Sequence, residues 1–503
     1  MNRTDAINAI ESGDRWDVLV IGGGATGLGA AVDAASRGYR TLLVEQHDFA
    51  KATSSRSTKL VHGGVRYLKQ GNISLVRESL QERALLLRNA PHLARTQSFI
   101  VPAYSFLDVP FYGIGLKMYD ALAGKFSLGP SEIVSRDEVI RELPTVRAEK
   151  LRGGVRYFDG QFDDAGLAVC LAQTLFDLGG FGVNYMRVES LIKDNGKIVG
   201  TVAVDAEGGR TFEIKARTVI NATGVFTDTL RRCDDSHSAP ILSVSQGAHI
   251  VLDRSFLPGE CALMIPKTAD GRVLFAIPWQ GRVLLGTTDT AVKEATLEPR
   301  PLKREIEFLL EHANIYLNRA PAESDVLSAF AGLRPLVKSG AARNTSKLSR
   351  DHTIVISTSG LITITGGKWT TYRRMGEDVV NKASELGGLT RSNSRTRELP
   401  LHSEDRAEIE HLASTDSTLN APLHPRFPYR AADVVHGCRR TMARQVEDVL
   451  SRRTRMLILD ARAAIEAAPF VAKLMANELK RDSDWESAQV KSFQTLARSY
   501  LLH

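Results

Sequence analysis

The chain is poor in cysteine. It has four in 503 residues, and Cys170, Cys233, Cys261 and Cys438 stand far apart with no C-x-x-C pair. That spacing excludes a disulfide scaffold and a zinc ribbon, and agrees with a reducing compartment. Long apolar runs are also missing. No stretch approaches the roughly 20 residues that cross a bilayer, so no spanning helix is expected, while attachment to a membrane surface stays open. Met1 to Arg15 holds Asp5, Glu11 and Asp14 and no apolar core, so no secretory signal is expected. No zinc finger or repeated RNA-binding signature accompanies the net charge of +7. Nucleic-acid binding would rest on charge alone and is not expected. The same excess suits an anionic substrate, acidic lipid or a mildly basic solvated surface. With 43% hydrophobic and 24% charged residues the composition is globular, not disordered. The length suggests about two to four domains.

Glycine is informative by position. Trp16 to Ile21 is a short β-branched run that suits a buried strand. Gly22-Gly23-Gly24-Ala25-Thr26-Gly27 follows at once, then an Ala-rich helical stretch to Arg37, then a second strand from Thr41 to Val44. This is G-x-G-x-x-G in a strand–turn–helix–strand unit. Gly22 makes the tight turn, Gly24 lets backbone approach a pyrophosphate, and Gly27 lets helix and strand pack closely. The helix start offers unpaired N–H groups to phosphates. Glu45 lies 23 residues after Gly22 and can accept from ribose hydroxyls. A carboxylate there disfavours a 2′-phosphate, so NAD and FAD fit better than NADP. The hydroxyl- and glycine-rich loop from Ala52 to Tyr67 favours a long cofactor folded across the domain.

The chain resembles the aerobic-type FAD-dependent glycerol-3-phosphate dehydrogenases, within the D-amino-acid-oxidase-like flavoprotein superfamily. The matching blocks are V-I-G-G-G-A-T-G at 20–27, T-S-S-R-S-T-K-L-V-H-G-G-V-R-Y-L at 53–68, N-A-T-G at 221–224, G-L-R-P-L at 332–336 and T-G-G-K-W-T-T-Y-R at 365–373. They stand in family order. The resemblance implies an α/β fold: a Rossmann-like FAD-binding domain with an inserted β-rich substrate domain and an all-α C-terminal domain. The implied FAD-binding pieces are 16–97, 151–235 with a β-hairpin layer, and 346–389. The substrate pieces are 98–150 and 236–345, a mixed antiparallel sheet. Helices fill 390–503.

The resemblance places FAD on Gly22, Gly24, Ala25, Thr26 and Gly27, and on Glu45 and Gln46. In the following loop it assigns Thr53, Ser54, Ser55, Lys59, Leu60, His62, Gly63 and Gly64. Later contributions are Val188, Ala222, Gly224, Gly332, Gly367, Lys368, Trp369 and Thr370. A substrate phosphate needs fixed cations, preferably arginine. Arg66, Arg334 and Lys368 sit in glycine-flanked turns after predicted strands, and Arg350 matches a further family arginine. The C2 alcohol needs a base while hydride moves to flavin N5. His62 and His249 both qualify. Tyr67 can orient the substrate. G-G-V-R-Y recurs at 153–157 without flanking similarity, so Arg66 and not Arg156 is expected at the site.

Gly366-Gly367-Lys368 is not a Walker A loop, because Trp369 follows the lysine and Ile362 stands where the first glycine belongs. No second strong G-x-G-x-x-G offers a nicotinamide site. The flavin is therefore expected to be reoxidised by something other than NAD. The resemblance implies a membrane quinone as acceptor and dihydroxyacetone phosphate as product, in glycerol metabolism. The expected location is cytoplasmic, peripheral on the inner face of the cell membrane, with a homodimer possible. Residues 421–460 hold eight Arg, no Lys and four acids. Arg439, Arg440, Arg444, Arg452, Arg453 and Arg455 are candidates to meet anionic lipid. The alternatives are a flavoenzyme of the same superfamily acting on an amine or 2-hydroxy acid, or an FAD-binding protein without catalysis.

Overall fold

A computed structural model describes residues 1–64, 72–269, 271–338, 351–403 and 405–502. Two sheets organise the main body. The first runs His352–Ile356, Ile362–Gly366, Thr211–Asn221, Trp16–Ile21, Thr41–Val44, Phe181–Val183 from edge to edge. Its centre is parallel, with Val18 opposite both Thr218 and Thr41. Trp16–Ile21 and Thr41–Val44 are almost wholly buried, as continuous apolar strands covered on both faces must be. The helix Ala25–Ser36 crosses between them. An antiparallel extension, Met186–Asp194 with Lys197–Asp205, pairs onto Thr211–Asn221.

The second sheet has ten strands. Its longest partnership is antiparallel, Leu242–Asp253 against Val326–Val337, with His249 opposite Phe330 and Ser245 opposite Arg334. Gly153–Phe162 belongs to this sheet, pairing with Ala94–Ala103 from end to end. Residues 151–162, assigned by sequence to a cofactor-domain piece, thus lie with the 242–337 strands. Alternation alone does not say which sheet a strand joins. The aromatic, proline-containing stretch after residue 98 resolves into Ala94–Ala103 and the helix Asp108–Ala123. Pro110 is tolerated because it lies in the first turn, where its missing N–H has no intrahelical partner.

The C-terminal region is helical, with Asp405–Thr415, Ala431–Arg440, Ala461–Leu479 and Ser483–Arg498. Its apolar side shares a core with Trp279 and Phe330 of the second sheet. The expected helix 442–451 is instead a loop followed by a short π-helical turn, Asp448–Arg453. Asp448 causes this locally, since its Oδ2 accepts from the Arg444 and Gln445 N–H groups.

The arginines proposed to face lipid are corrected by this packing. Arg452 and Arg455 are buried, and Arg453 is partly buried with its side chain 7% exposed. Arg452 Nε lies 2.5 Å and Arg453 Nη1 2.8 Å from Asp48 Oδ2, and Arg455 Nη2 lies 2.8 Å from Asp164 Oδ1. Arg444 pairs with Glu207, Arg439 with Glu478 and Arg440 with Glu408. Arg444, Arg452, Arg453 and Arg455 clamp the helical region to the main body, whereas Arg439 and Arg440 stay exposed and pair within the helical region.

Candidate active site

The Trp16–Ile21 strand ends at Gly22, whose N–H donates to Val44 O at 2.9 Å and whose φ is 114°. A Cβ on Gly22 would stand 2.6 Å from Ala222 O, and one on Gly27 would stand 1.8 Å from Gly22 O. Both positions demand glycine. The helix that follows starts at Gly24 with no cap from that residue's own side chain; Ser54 Oγ takes the Ala25 N–H, and the rest of the helix start faces the cavity at Thr26. Glu45 closes the turn from the second strand. Its Oε2 accepts from Gly23 N–H at 2.6 Å and its Oε1 from His47 N–H at 2.8 Å. Burial raises its pKa against those two bonds.

Three segments distant in sequence are tied over this turn. Ser54 Oγ accepts from Ala25 N–H at 2.9 Å, and Ser54 O accepts from Trp369 Nε1 at 2.8 Å. Thr53 Oγ1 donates to Leu333 O at 2.7 Å. Thr370 Oγ1 accepts from His62 N–H at 3.3 Å. They enclose a cavity of about 400 Å³ whose wall includes Gly22, Glu45, Val188, His249, Arg334 and Lys368. A smaller cavity of about 160 Å³ shares Thr58, Leu60, His62 and Arg334 with it and adds Gly64, Tyr157, Asp159, Arg272, Thr287 and Asp289.

The shared wall is cationic and polar. Arg334 Nη2 donates to Thr287 Oγ1 at 3.0 Å and to Thr288 O at 3.2 Å, while Nη1 lies 3.3 Å from Asp289 Oδ1. Arg272 Nη2 lies 3.1 Å from the other oxygen of Asp289. Lys368 Nζ donates to Ser79 Oγ at 2.6 Å. His249 is buried and stacks on Phe330 at 5.0 Å between centroids. Its Nε2 is 2.9 Å from the Thr58 hydroxyl. Burial, reinforced by the charges of Lys59 and Arg334, pushes its pKa well below the ordinary histidine value, so the imidazole is neutral.

The profile of the FAD-dependent oxidoreductase family matches residues 17–373. The chain belongs to this family. The profile of the C-terminal domain of alpha-glycerophosphate oxidase matches residues 403–486. The mitochondrial glycerol-3-phosphate dehydrogenase of Rattus norvegicus is 39% identical over 528 residues, covering 95% of this chain and 72% of the rat protein. That of Homo sapiens is 38% identical over 552 residues, covering 100% of this chain and 75% of the human protein. The crystal structure of the Bacillus halodurans glycerol-3-phosphate dehydrogenase complexed with FAD matches with a TM-score of 0.79 at 30% identity, over 99% of this chain and 98% of that one. Within the oxidoreductase family, this chain therefore stands on the aerobic glycerol-3-phosphate dehydrogenase branch, with FAD as its cofactor.

The residues present fit that cofactor. The glycine turn, the helix start and Glu45 share one cavity with the 366–370 turn and with residues 332–334, which lie within the strand Val326–Val337 and not in the turn expected for Arg334. Of the residues expected to bind FAD, the larger cavity's wall includes Gly22, Gly24, Ala25, Thr26, Glu45, Gln46, Thr53, Ser54, Leu60 and His62. It also includes Val188, Ala222, Gly224, Gly332, Gly367, Lys368, Trp369 and Thr370. Gly64 lines the smaller cavity.

Four expected residues are not on either wall. Gly27 packs under the turn, and Ser55 is buried behind it. Lys59 is the clearest correction. Its ammonium turns away to Asp164 Oδ2 at 2.6 Å and Ser55 O at 2.8 Å, and lies 5.4 Å from the Trp279 ring centroid. Burial lowers its pKa to about 7 against the pull of Asp164. A lysine whose chain neighbours Thr58 and Leu60 both line the cavity is itself drawn inward, because Asp164 and Arg455 form a buried charge cluster there. Gly63 is seated against Tyr119. Arg66, Tyr67 and Arg350 lie outside the described residues. Arg156, in the second G-G-V-R-Y, pairs with Glu132 and Glu142.

Sequence reasoning missed Thr58, Arg272, Thr287 and Asp289. The one local signal was Gly286-Thr287-Thr288-Asp289, a hydroxyl and acid run directly after the apolar strand Arg282–Gly286.

Proposed function

We propose that this flavoprotein oxidises sn-glycerol 3-phosphate to dihydroxyacetone phosphate and passes the electrons to a membrane quinone. The observation that supports it best is the wall shared by the two cavities, where Arg334 and His62 meet Thr58 and Leu60, with Arg272 in the adjoining space. A phosphate monoester suits two arginines held at one carboxylate beside the cavities, because guanidinium geometry matches phosphate oxygens. Relatives named glycerol-3-phosphate dehydrogenase support the same substrate. Bound FAD supplies the hydride acceptor for the C2 hydrogen. The chain's own task is to hold the phosphate, orient the C2 alcohol and accept its proton on an imidazole, His62 or His249. Arg66, Tyr67 and Arg350 belong to this substrate set in the reading.

Attachment to the inner face of the cell membrane is part of the proposal. No helix of the described residues is long and apolar enough to cross a membrane. The Asp108–Ala123 helix instead exposes Phe111, Ile114 and Met118 on one face, with Phe106, Leu107 and Ile133 exposed beside it. Ile133 lies next to Gly113 of that helix. Lys117, Lys125 and Arg152 are exposed around the patch, and Arg152 lies 3.5 Å from the Phe106 ring centroid. An apolar face rimmed by cations fits anionic lipid better than a second copy with the same charge.

Anaerobic addition of sn-glycerol 3-phosphate to the purified holoprotein is expected to bleach the flavin absorbance. Bleaching by an amine or a 2-hydroxy acid, with none by glycerol 3-phosphate, would overturn the assignment.

A further inference from the structure

Asp159 lines the smaller cavity, yet its carboxylate is already engaged from behind. Its Oδ1 accepts from Arg83 Nη1 at 2.9 Å, and its Oδ2 accepts from the Tyr119 hydroxyl at 2.8 Å. The Tyr119 oxygen in turn accepts from Gly63 N–H at 2.8 Å. Arg83 Nη2 also donates to Phe126 O at 2.8 Å, just beyond the helix that holds Tyr119. Arg83, Tyr119 and Asp159 are all buried, at 1%, 2% and 3% exposure. The hydroxyl proton is committed to Asp159, so the tyrosine can only receive the Gly63 amide. A Cβ on Gly63 would stand 2.5 Å from that hydroxyl and 2.6 Å from Leu80 Cδ2. The backbone is therefore seated on the phenol with no room to shift inward.

Gly63 is flanked by the residues that form the cavities. Leu60 and His62 line both, and Gly64 lines the smaller one. We propose that Tyr119, oriented by Asp159 and Arg83, is a positioning residue for the oxidation: it fixes the backbone at Gly63 and so sets where His62 and Gly64 stand. The phenol touches neither ligand nor cofactor directly in this role. A buried hydrogen-bonded network of this kind favours one geometry, and a displacement of about 1 Å at a reacting group can cost about a hundredfold in rate. The inference rests on the proposed function for its kinetic consequence, but its structural consequence can be read without substrate.

The test is Tyr119→Phe in the FAD-loaded full chain. Amide exchange of the peptide covering Gly63 is expected to quicken by about tenfold or more, because the acceptor is gone. The rate constant of flavin reduction by glycerol 3-phosphate is expected to fall by about tenfold, with FAD content and substrate affinity within about twofold of the parent. Asp159→Asn keeps an acceptor for the hydroxyl and is expected to fall between parent and Tyr119→Phe. It also serves as the reporter if Tyr119→Phe does not fold. A reduction rate within about twofold of the parent, or a loss of rate matched by loss of FAD, overturns the proposal. If glycerol 3-phosphate fails to reduce the parent, the functional reading fails by itself. Exchange at Gly63 and the flavin's visible circular dichroism then decide the positioning role, and unchanged values in both overturn it.

Discussion

Arg334 is held at the cavity wall by Asp289, with Nη1 3.3 Å from Oδ1. The same carboxylate takes Arg272 at 3.1 Å and the Ser245 hydroxyl, and is nearly buried at 5% exposure. One anion thus sets the direction of two guanidiniums and cancels part of their mutual repulsion. Asp289→Asn removes that charge and lets both arginines swing. The KM for glycerol 3-phosphate is expected to rise by about tenfold, equivalent to about 1.4 kcal/mol, with FAD binding unchanged. Steady-state kinetics and flavin content measured on one preparation check it, and equal losses of both would make Asp289 a folding residue.

Gly27→Ala is expected to give colourless protein. The added methyl would stand 1.8 Å from Gly22 O, so the turn must open and the helix must move off the strand. Flavin content by absorbance is the measurement, and a yellow variant of normal content would contradict the close packing.

The turn and Glu45 are legible in sequence because the unit is local. Strand, turn, helix and second strand follow within 29 residues of chain, from Trp16 to Val44. The substrate wall is not local. Ser245 meets Arg334 only through the antiparallel register of two strands, and Asp289 arrives from a third place in the chain. No spacing rule encodes that. Charge reading fails at Lys59 and Arg452 for the same reason. Their partners Asp164 and Asp48 lie 105 and 404 residues away, so the sequence points Lys59 to the cofactor and Arg452 to lipid while both are buried in the fold.

His249 carries a pH consequence. Burial and the charges of Lys59 and Arg334 keep its pKa well below 6.5. The ring is then neutral over about pH 6 to 8, and is protonated only in stronger acid. The unfolded chain takes up this proton near 6.5 and the folded chain does not, so the residue costs stability as pH falls below 6.5. His249→Asn is expected to lower the plateau rate of flavin reduction without moving any ionisation seen between about pH 6 and 8. Disappearance of a limb near 6.5 in the variant would refute the depressed pKa.

Asp48 joins the main body to the helical region. Burial alone would raise its pKa, but Arg453 and Arg452 bring it down to about 2. A lowered carboxyl pKa contributes stability above its unfolded value of 3.8, lost as pH falls from there toward 2. Asp48→Asn takes from Arg453 its carboxylate partner and leaves Arg452 with Glu447 and Asp448, at a cost of about 3–5 kcal/mol for the broken buried pair. The melting temperature is expected to drop by several degrees, while flavin stays bound at room temperature because Asp48 is not on the cavity wall. An unchanged melting temperature would show that water reaches the cluster.

The membrane reading turns on the Asp108–Ala123 helix. Its inner side is fixed by Leu116, Tyr119 and Ala123, which are buried, so substitutions at exposed Phe111 and Ile114 need not disturb the fold. Each large apolar side chain moved from water into the lipid boundary is worth about 1.5–3 kcal/mol when fully buried. Replacing both by aspartate removes that gain and adds repulsion from anionic headgroups. Phe111→Asp with Ile114→Asp is expected to weaken sedimentation with anionic vesicles by at least about a hundredfold. Reduction of a water-soluble quinone analogue should remain near the parent's rate, because neither residue lines the cavities. Vesicle binding that survives both changes would move the attachment surface elsewhere. A parent that dimerises in solution and a variant that does not would assign the patch to a second copy instead.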